Sequence, residues 1–134
     1  MGYALSTTVD RPFEQVLAAT RSALADQGFG VLTEIDLAGT LKARIGAEIP
    51  SQVILGACRP PLAHAAVSVE PSIGLLLPCN VVVRALKDGE TLVEALDPTV
   101  MVTMTGNQAL SDVASEAREL LTNALVSLDG TLTT

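Results

Sequence analysis

A chain of 134 residues, 49% of them hydrophobic, is long enough to bury a core without metal or disulfide staples and predicts one domain over residues 1–134. One Tyr and two Phe (Tyr3, Phe13, Phe29) leave that core to Val, Leu, Ile and Ala and offer little surface for base stacking. A net charge of −7 and a pI near 4.5, with eight scattered Lys and Arg, oppose binding to nucleic acid or to an anionic membrane surface.

Leu5–Val9, mixed apolar and polar and rich in Ser and Thr, predicts a first strand. Asp10-Arg11-Pro12 then supplies a capping acceptor and a proline suited to a helix's first turn, and Phe13, Val16, Leu17, Thr20 and Leu24 follow at helical spacing up to about Gln27. Gly28 stands where a left-handed cap is wanted, and Phe29–Ile35 resumes an extended pattern. Asp36 is placed to cap a shorter helix with Leu37, Ala38, Leu41 and Ile45 on one side, closed by Gly46.

Gln52–Ala57 reads as a third strand, leading through Cys58-Arg59-Pro60-Pro61 into a small Ala-rich helix, Leu62–Val69, that carries His64. From about Leu75 to Leu86 an apolar run broken by Pro78, Cys79 and Asn80 predicts a central fourth strand. Asp88-Gly89 is a strong hairpin signal and returns the chain as a fifth strand, Thr91–Leu96. After a short helical turn around Val100, Met101 and Met104, the best amphipathic helix runs from Leu110 to about Leu125, and Thr131–Thr134 is expected to fray.

Two long amphipathic helices and about five strands predict an α+β two-layer sandwich with an antiparallel or mixed sheet. Val53-Ile54-Leu55 and Val81-Val82-Val83 are apolar at consecutive positions, which predicts cover on both sheet faces by short helices, a dimer partner or a ligand.

Gly28–Asp36, Leu55-Gly56-Ala57-Cys58-Arg59-Pro60 and Gly74–Val83, with Asp97-Pro98 as a further element, resemble the DUF302 family, also called TT1751-like. The resemblance spans nearly the whole chain and implies a TBP-like α+β fold in a bacterial or archaeal, dimeric protein, with no established reaction. Arg59 stands where the family pattern has Asn, and His64 where tyrosine is common.

The candidate site residues are Cys58, Pro78, Cys79, Asn80 and His64. Cys58 precedes a helix start, a position that favours thiolate, so Cys58 with Cys79 would make a thiol-based redox or thiol-transfer pair. The plainer alternative is two small buried hydrophobes, because no Cys-x-x-Cys motif is present. Cys58, His64 and Cys79 are also a possible soft-metal ligand set of unfamiliar spacing. Pro78 and Asn80 inside a strand imply a bulge or an exposed edge, and a bulge would turn the Asn80 amide toward a pocket. Asp36 and Asp97 each precede a helix start and are explained as caps.

The leading expectation is a non-enzymatic homodimer that binds a small ligand or partner on the apolar second sheet face. Neither a cofactor nor a catalytic residue is assigned. No secretory leader is legible near Met1, two cysteines are too few for a disulfide framework, and no apolar run approaches the ~20 residues of a spanning helix, so a cytoplasmic location is expected.

Overall fold

The computed structural model describes residues 2–133. Its elements in chain order are β1 (Ala4–Val9), α1 (Phe13–Asp26), β2 (Gly30–Asp36), α2 (Leu37–Ile45), β3 (Gln52–Cys58), α3 (Pro60–Val69), β4 (Cys79–Lys87), β5 (Glu90–Leu96), α4 (Val100–Thr105), α5 (Ser111–Val126) and β6 (Thr131–Thr133). The strands form one sheet in the order β2-β3-β4-β5-β1-β6, with every neighbouring pair antiparallel. This is the α+β architecture that the hydrophobic pattern predicts.

Helices α1 and α5 pack on one face of the sheet and against each other. Val16, Leu17, Ala23 and Leu24 of α1 and Leu121, Ala124 and Leu125 of α5 are buried against Leu5, Leu55, Val81, Val83 and Val93. Each of these positions follows from periodicity: 3.6 in the helices and 2 in the strands. Gly28, at φ 84°, ends α1 as predicted, and Gly89, at φ 75°, makes the β4–β5 turn. Asp36 caps α2 through a hydrogen bond from Gly39 N at 2.9 Å. A second, smaller core gathers Ala66, Ile73, Met101, Leu110 and Ala114 beside the first.

Two expectations are corrected and two are refined. Gly74–Leu76 is not strand: Pro71–Leu76 forms a 3₁₀ helix, and β4 starts only at Cys79. Pro71 has a backbone suited to a helical first turn, and Gly74 weakens any strand, so the apolar run folds over the second core instead. Leu75 consequently projects into solvent, 88% exposed. Within the stretch expected to fray, Thr131–Thr133 pairs with Ser6–Thr8 as a sixth strand, and Thr134 lies outside the described residues. Helix α2 buries none of its residues, and Ile45 on its apolar side is exposed.

Of the covers expected for the second face, the chain's own short helix α2 does not provide one. Along β3 and β4 the burial alternates: Val53, Leu55, Val81 and Val83 are buried, whereas Ile54 and Val82 are only half-buried. The register continues this open face as a row, Ile35–Ile54–Val82–Glu94–Ser6, across five strands. Over β1, β3, β4 and β5 one face is covered within the chain and the other stands open, whereas β2 is exposed along its whole length.

Candidate functional site

The Pro78-Cys79-Asn80 block lies where β4 begins, and the pleat distributes its side chains. Cys79 pairs with Ala57 and is buried on the helix-covered side, while Asn80 pairs with Gly56 and is exposed on the open face. Gly56 explains the irregularity. A Cβ at that position would collide with the Thr33 hydroxyl of β2 and would lie 2.8 Å from the Pro78 ring, so only glycine lets the two side chains close over β3. The register also slips between Val31 and Thr33, which places the bulge in β2 rather than at Asn80.

On the open face a concavity of about 360 Å³ is lined by Tyr3, Asn80, Val82, Arg84, Glu94 and Leu96, among others. Its size falls in the range of small-molecule sites. Val82 and Leu96 supply an apolar floor, and the amide of Asn80 can both donate and accept. Arg84 Nη2 reaches Glu94 Oε1 at 3.3 Å, a single long contact that leaves most of the guanidinium's donors uncommitted.

The thiols lie close together and form no disulfide. Cys58, the last residue of β3, lies one position beyond the Ala57–Cys79 pair, and both thiols border the same small cavity beside α3. Burial, and then the charge of neighbouring Cys58, pushes the Cys79 thiol up to about 11. Beside Cys58, Pro60 and Pro61 open α3 without N–H groups, and the next two donors, Leu62 N and Ala63 N, both reach Arg59 O at 3.0 Å.

A Cys79 thiol that ionises less readily when folded ties stability to pH. The unfolded chain releases this proton near 9 and the folded chain near 11, so between those values the folded state binds more protons and stability falls as pH rises. The wild-type urea midpoint is expected to drop across that window more steeply than that of Cys79→Ala. Parallel slopes for the two proteins would refute the burial of this thiol.

His64 is exposed on α3. Among the described residues no three His, Cys, Asp or Glu side chains gather to hold a metal ion, so Cys58, His64 and Cys79 are not a ligand set. Sequence reasoning missed Tyr3, Arg84 and Glu94, which join Asn80 only through strand pairing. Arg59 serves the fold: its Nε donates to Gln27 O at 3.3 Å and ties the start of α3 to the end of α1. Asp97 accepts from Thr99 N and Thr99 Oγ1 and from Arg118 Nε. Burial alone would raise its pKa, but these bonds outweigh it and hold the carboxyl below its ordinary value. A small cavity of about 30 Å³, lined by Cys79, Leu62, Met101 and other residues at the seam of the two cores, has room for little more than a water molecule.

The comparisons agree with this fold. The family model described as "Domain of unknown function DUF302" matches residues 5–128. The chain is similar to a solved structure, an uncharacterized conserved DUF302 protein from Bacillus stearothermophilus, at 25% identity and a TM-score of 0.86, covering 94% of this chain and 98% of that one. A comparison with curated proteins finds no match. Among the described residues no helix is long and apolar enough to cross a membrane.

Proposed function

The chain belongs to the DUF302 family, a domain of unknown function, and from that premise we propose that it is a non-enzymatic, homodimeric binding domain of the bacterial cytoplasm that holds a small molecule on its open sheet face. The observation that carries this reading is the concavity bounded by Tyr3, Asn80, Arg84 and Leu96. It joins an apolar floor to a few converging polar groups, which is how small-molecule sites combine affinity with orientation. The ligand that fits has an apolar body for Val82 and Leu96, a group that pairs with the Asn80 amide, and an anionic or strongly accepting end for Arg84. No thiol lines the concavity, and Cys79 faces away from it. The binding reading therefore needs no activated thiol.

A thermal-shift screen of small organic acids and amphipathic metabolites tests this reading. Compounds that raise the melting temperature are expected to bind Asn80→Ala about tenfold more weakly, the loss of one hydrogen bond worth ~1.4 kcal/mol. Asn80 projects to solvent, so the variant keeps the wild-type melting temperature without ligand. Binders that are indifferent to both Asn80→Ala and Arg84→Ala would place the site elsewhere.

A further inference from the structure

We infer that a second copy of this chain covers the open sheet face, stacked on it about a two-fold axis so that the Arg84 of each protomer pairs with the Glu94 of the other. This deepens the homodimer part of the reading above and rests on it. The face carries Ile54, Val82, Leu92 and Leu96, all half-buried, where a covered sheet would bury them. Helices α1 and α5 serve the opposite side, and α2 buries none of its residues.

Both area and charge favour a second copy as the occupant. Five long strands at ~4.8 Å spacing, each presenting about six residues at ~3.4 Å, give a footprint of about 500 Å², and more as accessible surface. Two such faces together reach roughly 1,000–1,400 Å², the lower end of stable specific interfaces. The chain as a whole carries −7, yet the centre of this face sets a cation beside an anion, Arg84 of β4 diagonally across from Glu94 of β5. An isologous interface brings each residue's partner to the opposite chain, so one such pair complements itself. Sheets stacked about 10 Å apart would also close the two concavities between them.

Sedimentation of the intact protein across micromolar concentrations, alone and with variants, tests the interface. The wild type is expected to dimerise, and Val82→Asp to be monomeric with an unchanged circular dichroism spectrum, because Val82 is not part of the chain's own core. R84E and E94R should each weaken self-association by about tenfold or more through facing like charges. Mixed together, R84E and E94R should form heterodimers, an outcome that contacts within one chain cannot produce. A wild-type dimer unmoved by all three variants, with no heterodimer on mixing, would overturn this interface and leave the homodimer reading standing. A chain that stays monomeric at every concentration would overturn both, and the Asn80 thermal-shift result would then stand as a property of the monomer.

Discussion

Leu55→Ala is expected to reduce the free energy of unfolding by about 2–5 kcal/mol, while Ile54→Ala, one residue earlier, costs about 1 kcal/mol or less when the chain is kept dilute and monomeric. Leu55 is 0% exposed and sits in the main core with Val81 and Leu121, so truncation leaves a hole that neighbouring strands and helices cannot close. Ile54 points the other way and is already half in water. Urea denaturation of both variants reads the difference directly. Equal losses would mean that both sheet faces are covered within a single chain, and the open-face site would have to be abandoned.

Gly56→Ala carries the next largest effect, about 1–3 kcal/mol of destabilisation from overpacking. Its added methyl meets the Thr33 hydroxyl on one side and the Pro78 ring on the other. Threonine can rotate, but the proline ring is rigid and flanks the start of β4, so β3 and β4 must separate locally. Thr33→Ala relieves half of the collision. The double variant T33A/G56A should therefore be more stable than the sum of the single changes by at least ~0.5 kcal/mol in a denaturation cycle. Strict additivity would show that Thr33 does not close over Gly56. Because Asn80 pairs with Gly56, Gly56→Ala should also disturb the binding concavity at its Asn80 end.

Much of the fold was legible because its signals are local. The i, i+3, i+4 pattern of Phe13–Leu24 and of Leu110–Leu125 defines α1 and α5, and Asp88-Gly89 defines the β4–β5 turn. Gly28 and Asp36 mark a helix end and a helix start by conformational and hydrogen-bonding preferences that need no distant partner. The stretch Gly74–Leu77 misled because an uninterrupted apolar run looks alike whether it is a strand or a tight helical turn over a small core.

The candidate site was only half legible. The sequence by itself determined that Pro78-Cys79-Asn80 interrupts an otherwise apolar strand, since proline and asparagine suit a ladder poorly wherever it lies. Where each side chain goes depends on how the strands pair. Strand register is a long-range property, and a shift of one residue exchanges the two faces. That register sends Cys79 to the core and Asn80 to the open face beside Tyr3 and Arg84, and it brings Cys58 to the rim of the cavity that Cys79 lines. The same dependence on pairing turned Thr131–Thr133 from an expected loose end into a strand beside β1, because its partner lies more than a hundred residues away in the chain.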